Sequence, residues 1–151
     1  MIDSYKNLVF PLVFLFFSIS ASVIDIKHKR IPNRIVLTGI FILTGFRILF
    51  FDDLLYILAV KIIAGPVLFI IVYLLTDGKL GMGDVKYSAL MGVFIGLPGL
   101  FIAIGLSSIM GLIFAVIGLH FGRINIKTKI PFAPFLTLGS FLTFYIFYTI
   151  I

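Results

Sequence analysis

Apolar and polar positions in this chain come in blocks and do not alternate. Apolar runs near the roughly 20 residues needed to cross a bilayer occupy Leu8–Ile24, Ile35–Phe51 and Leu54–Leu75, with short polar stretches between them. From Tyr87 to Phe121 there are 35 residues without Asp, Glu, Lys or Arg. As one straight helix at 1.5 Å per residue that stretch would extend about 52 Å, against about 30 Å of hydrocarbon. Leu97-Pro98-Gly99 supplies a turn in its middle, so the stretch is read as two helices. A last run, Phe132–Ile151, brings the count to six, and Asp52-Asp53, Asp77-Gly78 and Pro131 punctuate the others. The expected fold is an all-α integral membrane protein, a bundle of six transmembrane helices forming a single domain over residues 1–151.

Composition agrees with the pattern. The chain is 62% hydrophobic and 12% charged, where soluble domains average about 45–50% and about 25%. Little is left over for a separate water-soluble domain. The net charge of +6 would suggest nucleic acid if it formed a patch on a soluble surface. Here the cations lie in short loops between apolar runs, so they read as topology and lipid contact, and no nucleic-acid partner is expected.

Six crossings with the N-terminus outside put loops 25–34, 76–86 and 122–131 in the cytosol. Nine of the twelve Lys and Arg fall there: Lys27, Lys29, Arg30, Arg34, Lys79, Lys86, Arg123, Lys127 and Lys129. Lys6, Arg47 and Lys61 remain, close enough to the outer face to snorkel to it. Ser20-Ala21-Ser22 imitates a signal-peptide cleavage site, but the cations directly after the first apolar run hold that end in the cytosol. The run is therefore read as a first helix.

With no cysteine, disulfides, thiol catalysis and Cys-ligated zinc are excluded, and the two histidines, His28 and His120, are too few and too far apart in sequence to suggest a metal site. No cofactor is expected. Gly92-xxx-Gly96 and Gly118-xxx-Gly122 have helix-packing spacing and are expected to mark close contacts inside the bundle.

Of six acidic residues, four have plain explanations: Asp3 is in the N-terminal tail, Asp52 and Asp53 cap an outer turn, and Asp77 precedes Gly78 in another. Asp25 and Asp84 are left. Asp25 ends the first helix and Asp84 begins the fourth, so the parity of the crossings brings both carboxylates to the same, cytosolic, membrane boundary. A carboxylate at the edge of hydrocarbon is costly and is by default a candidate for function; each taken singly could also cap a helix or pair with Lys27 or Lys86. Around Asp84 the sequence reads Gly81-Met82-Gly83-Asp84-Val85-Lys86. Glycines 81 and 83 remove side chains that would shield the acid from a substrate backbone. A phosphate site is disfavoured, because Asp84 would repel the anion and no Gly-Lys-Ser/Thr follows.

Together these stretches resemble a known family. Gly-x-Gly-Asp-x-Lys at 81–86, with Asp25 followed by Lys27-His28-Lys29-Arg30-Ile31-Pro32-Asn33, is similar to the type IV prepilin peptidases and archaeal preflagellin peptidases. Pro131-Phe132-Ala133-Pro134 resembles a third family feature that usually reads Pro-Phe-Gly-Pro, with Ala133 as the departure. Presenilin-type proteases share the Gly-x-Gly-Asp element but are larger and place the partner aspartate in a different motif.

The resemblance implies a six-helix aspartic endopeptidase of the prokaryotic cytoplasmic membrane, with Asp25 and Asp84 as the catalytic pair and Gly81, Gly83 and Lys86 shaping the site. Its partner would be a prepilin-like membrane protein (a type IV pilin, a tight-adherence pilin or a preflagellin) from which it removes a short basic leader. Longer bacterial members carry an extra cytosolic region with paired cysteines that goes with N-methylation; this sequence shows none, so peptidase activity without methyltransferase activity is expected. Two readings from other classes stand beside it: a small proton-coupled transporter using the same aspartates, and a non-catalytic pilus-assembly subunit. For transport, helices 4 and 5 offer only Ser88, Ser107 and Ser108 as a polar route.

Overall fold

In the computed structural model the chain is all-helical over the described residues, which are 2–51, 54–78, 80–125 and 128–150, with side chains described between 8 and 147. Asp52, Asp53, Lys79 and Lys127 lie outside the described residues, as do the side chains of Asp3 and Lys6. The helices are α1 (Ile2–His28), α2 (Asn33–Phe50), α3 (Leu55–Leu75), α4 (Met82–His120) and α5 (Ala133–Ile150). The first four contain stretches long and apolar enough to cross a membrane, and Ala133–Phe147 is a shorter apolar helix. Large side chains such as Phe41 (81% exposed), Leu75 (79%) and Leu49 (74%) face outward. Such a surface suits lipid and not water. The chain is an integral membrane protein.

The apolar stretch expected to make two helices is a single run, α4, broken at Gly96 (φ 71°, ψ −179°). That is one residue before the Leu97-Pro98-Gly99 turn. The positive φ is open to glycine without the strain a side chain would bring. Contacts with α5 give the direction of each arm. Before the break, Tyr87 meets Thr137 and Phe94 stacks on Phe144; after it, Gly99 lies beside Thr143, Ser107 bonds to the Phe135 carbonyl and Gly111 packs on Phe132. One arm runs parallel to α5 and the other antiparallel, so the chain folds back at Gly96.

The break frees backbone carbonyls inside the protein. Pro98 has no N–H for the carbonyl of Phe94, and the turn at Gly96 carries the Leu97 N–H away from Val93. Arg47 of α2 fills the gap, donating from Nε to Val93 O and from Nη2 to Phe94 O, both at 2.7 Å. Its guanidinium also lies over the rings of Phe10 and Phe51. Arg47, expected to snorkel outward, turns inward and caps a broken helix.

The first arm is the centre of the molecule: Tyr87, Leu90, Met91 and Val93 are fully buried. Helix α3 crosses it at backbone contact, since a Cβ on Gly65 would strike the Ser88 carbonyl and one on Gly92 the Lys61 carbonyl. Gly92 therefore makes the close helix contact its spacing suggested. Gly118 and Gly122 do not. Arg123 N donates to Gly118 O and Gly122 N (φ 65°) to Leu119 O, which is a Schellman cap ending α4. A G-x-x-x-G spacing fits a helix face and a helix end equally well, and here the chain stops.

Candidate active site

Asp25 stands in the last turn of α1. The helix ends just past it, where Lys29 takes a left-handed conformation (φ 52°) and returns its N–H to the Asp25 carbonyl at 2.7 Å. The side chain is 6% exposed and points across the bundle to the head of α5. There Oδ2 accepts the Ala133 backbone N–H at 3.1 Å.

The Pro131-Phe132-Ala133-Pro134 stretch explains why that donor is free. The first N–H groups of a helix have no partner within it. Pro134 has none to satisfy, while Phe135 and Leu136 both donate to the Phe132 carbonyl at 3.1 Å. Ala133 carries an N–H left over within the helix, and it goes to Asp25, with the Phe132 N–H also turned toward the carboxylate. The positive end of the α5 dipole thus faces the carboxylate.

Asp84 is the third residue of α4. Its N–H closes the first turn onto the Gly81 carbonyl at 3.0 Å, and its carboxylate turns back over Gly81. A Cβ at position 81 would sit 2.9 Å from Asp84 Oδ2. Gly81 therefore leaves room for the acid itself. Gly83 acts differently from the open approach expected of it: a Cβ there would meet Ile31 Cβ at 2.9 Å, so the missing side chain lets the α1–α2 link pack against the start of α4. Lys86 also ties these elements, donating from Nζ to Asn33 Oδ1 at 3.0 Å. It bonds neither Asp84 nor a backbone carbonyl in that contact.

Both acids open onto one cavity of about 810 Å³ at the end of the bundle. Its wall is drawn from the three loops that helix parity assigned to one side: Lys29, Arg30, Ile31 and Asn33 from the first, Gly78 to Asp84 (Lys79 aside) and Lys86 from the second, Thr128 to Phe132 from the third. The rim is cationic, with Lys29, Arg30, Lys86 and Lys129 around two carboxylates. Two carboxyl groups that meet in such a cavity can share a proton, which is the equipment of acid–base hydrolysis.

Residues 12–116 match the Type IV leader peptidase family. The chain belongs to that family. The match takes in Asp25, Gly81, Gly83, Asp84 and Lys86 and stops short of α5, so the part played by Ala133 rests on geometry. This family member is 30% identical over 137 residues to the prepilin leader peptidase/N-methyltransferase of Bacillus subtilis (strain 168), covering 90% of this chain and 55% of the relative. It is 30% identical over 139 residues to the protein of the same name from Xanthomonas campestris pv. campestris, covering 85% of this chain and 47% of the relative. The chain spans about half the length of these curated relatives. No solved structure matches it.

One group of polar residues escaped the sequence reading. Beneath the carboxylates, Ser22, Tyr87 and Thr137 form a buried hydrogen-bonded cluster joining α1, α4 and α5. A signal was present, because Ser18, Ser22 and Asp25 recur at helical spacing on one face of α1. Past these hydroxyls the interior is filled by rings: Phe14 stacks on Phe94 at 3.8 Å, Phe94 on Phe144 at 4.9 Å, and Phe10 lies 5.6 Å from Phe94.

Proposed function

We propose that this protein is a membrane-embedded aspartic endopeptidase that removes the short basic leader from prepilin-like precursors, with Asp25 and Asp84 as its catalytic pair. The observation that carries the reading is that these two acids, with 58 residues between them in the chain, line one cavity at one end of the bundle. Membership of the Type IV leader peptidase family and the names of the relatives support a prepilin as the substrate class; a type IV pilin, a tight-adherence pilin and a preflagellin are the forms proposed.

One carboxylate, ionised, draws a proton from water, and the resulting hydroxide attacks the scissile carbonyl. The other, protonated, hydrogen-bonds that carbonyl and then delivers a proton to the leaving amine. Water adds across the C–N bond and the pair returns to its starting charge. Gly81 leaves Asp84 free to reach the peptide; Gly83 and Lys86 hold the surrounding loops.

In this reading the two arms of α4 cross separately, giving six spans with the N-terminus outside, and the cavity faces the cytosol of a prokaryotic cell. The abundance of loop cations on that side supports the orientation. In this reading product is released without N-methylation. The phenylalanine-packed interior beyond the hydroxyl cluster favours a peptidase over a proton-coupled transporter, which needs a continuous polar path.

The test is cleavage of a prepilin-like substrate in liposomes by wild type, Asp25→Asn and Asp84→Asn, read by mass spectrometry with a methyl donor present. Unmethylated product cut between leader and hydrophobic helix, by wild type alone, is the expected result. Equal cleavage by either variant would remove the aspartic mechanism.

A further inference from the structure

Asp25, Ala133 and Asp84 each have a hydroxyl one helical turn deeper in the bundle. On α1 it is Ser22, three residues before Asp25; on α4 it is Tyr87, three after Asp84; on α5 it is Thr137, four after Ala133. All three are buried, Tyr87 completely. Thr137 is the hub. Its Oγ1 lies 2.8 Å from Ser22 Oγ, 2.6 Å from Tyr87 OH and 3.0 Å from the Ala133 carbonyl.

Counting protons fixes the direction of these bonds. A threonine hydroxyl has one proton to give and two lone pairs to receive. The carbonyls of Ala133 at 3.0 Å and of Ser18 at 3.4 Å can only accept, so the one Thr137 proton goes to them, chiefly to the nearer, and Ser22 and Tyr87 both donate to Thr137. The hydroxyl's capacity is then used up. Deeper on α5, Ser140 and Thr143 bond back to carbonyls of their own helix, Leu136 and Gly139. Those bonds carry no information between helices, whereas the Thr137 cluster locks three of them together at the level where the acids must meet.

We propose that Thr137 is a positioning residue, whose three-way hydrogen bond sets the separation of Asp25 and Asp84. The inference rests on the peptidase reading given above. The chain of contacts is short: Tyr87 fixes α4 one turn behind Asp84, Ser22 fixes α1 one turn before Asp25, and both are referred to the same oxygen, which is bonded to the residue whose N–H holds Asp25. Buried hydroxyls are costly to leave unpaired. A drift of any one helix breaks a bond, so the register resists it.

Two variants at the hub separate positioning from packing. Thr137→Val keeps the volume and removes the oxygen; Thr137→Ser keeps the oxygen. With a prepilin-like substrate in liposomes, T137V is expected to lower kcat roughly ten- to hundredfold, as misplacement of catalytic groups does. KM should change less than about twofold, because the substrate contacts are intact. The pH–rate profile should move as well, because proton sharing depends on the spacing of the pair. T137S restores both kcat and the profile, and Tyr87→Phe, which removes one donor, gives an intermediate fall. A T137V enzyme with wild-type kcat and pH profile overturns the proposal, even if its melting temperature has dropped. Should T137V fail to fold, the same comparison on Y87F decides: unchanged kcat and profile overturn it. Wild-type protein that cleaves nothing, or cleaves as well without Asp25, removes the peptidase reading before the hub variants are compared, and the proposal falls with it.

Discussion

The backbone N–H of Ala133 donates to Asp25 Oδ2 at 3.1 Å, joining the first turn of α5 to the last turn of α1. At its own helix end Asp25 faces the negative pole of α1, and the head of α5 supplies the opposing positive pole. The bond is made by a main-chain atom, so the test is a change of backbone. Ala133→Pro removes the donor at a first-turn position where proline otherwise fits. It is expected to cut kcat for leader cleavage about tenfold or more, since hydrogen bonds to charged groups are worth about 1.5–3 kcal/mol. Ala133→Gly keeps the N–H and should stay within about threefold of wild type, a factor set by glycine's extra backbone freedom. Equal rates for the two variants would show that the amide is idle.

A proton-sharing pair has two ways to fail. At low pH both carboxyls are protonated and none takes a proton from water; at high pH both are ionised and none donates. The rate of leader cleavage is therefore expected to be bell-shaped in pH, with limbs belonging to the pair and not to either residue. Asp25→Asn and Asp84→Asn each should cost about 10²–10⁴-fold, and the double variant little more than a single one, because the two act as one unit. Strict additivity would mean that they serve separate steps.

Much of this was legible in the sequence because the bilayer forbids so much. Charges are so few that two acids at like-facing helix ends stood out, and the loops flanking them do meet around one cavity. What stayed hidden is uncharged or depends on a neighbour. Thr137, Ser22 and Tyr87 are neutral, and their bonds run between helices whose packing no local pattern fixes. Arg47 looks like an interfacial anchor until the break in α4 is located at Gly96, and only then do the Val93 and Phe94 carbonyls need a donor. The Gly118–Gly122 pair has the right spacing for packing and the wrong backbone, since a positive φ at Gly122 ends the helix.

The Arg47 cap should be visible in stability more than in catalysis. Arg47→Met keeps an unbranched apolar side chain and deletes both donors to α4 together with the cation over Phe10 and Phe51. Two charge-assisted bonds at about 1.5–3 kcal/mol each set the expected loss, measured by thermal or denaturant unfolding in detergent. Arg47→Lys offers donors without the planar fork and should recover only part of it. Wild-type stability for R47M would mean that those carbonyls find other partners.

At Gly81 the steric margin is small and local. The backbone there (φ −70°, ψ 130°) suits any residue, so Gly81→Ala should fold normally. Its new Cβ, 2.9 Å from Asp84 Oδ2, must push the carboxylate aside. Cleavage is expected to fall about tenfold or more, with the melting temperature close to wild type. A fully active G81A would show that Asp84 works from a different rotamer.

Because the chain has no cysteine, single cysteines can report its path through the membrane without background. Arg30 and Thr128 are on two of the three loops around the cavity, and Leu54 precedes α3 at the opposite end of the bundle. With six crossings, Arg30→Cys and Thr128→Cys must share one side and Leu54→Cys must take the other. In spheroplasts an impermeant maleimide is expected to label Leu54→Cys, and to reach the other two after lysis, which also places the cavity in the cytosol. Five crossings, with α4 passing once as a single 39-residue helix, would put the loop after α4 on the outer side. Thr128→Cys would then label from outside with Leu54→Cys, while Arg30→Cys stayed protected. Those two patterns differ at one residue, and Thr128 belongs to the loop that leads to Ala133. Because the Ala133 amide is bonded to Asp25, the fold requires the first pattern, and labelling of Thr128→Cys from outside would contradict that bond.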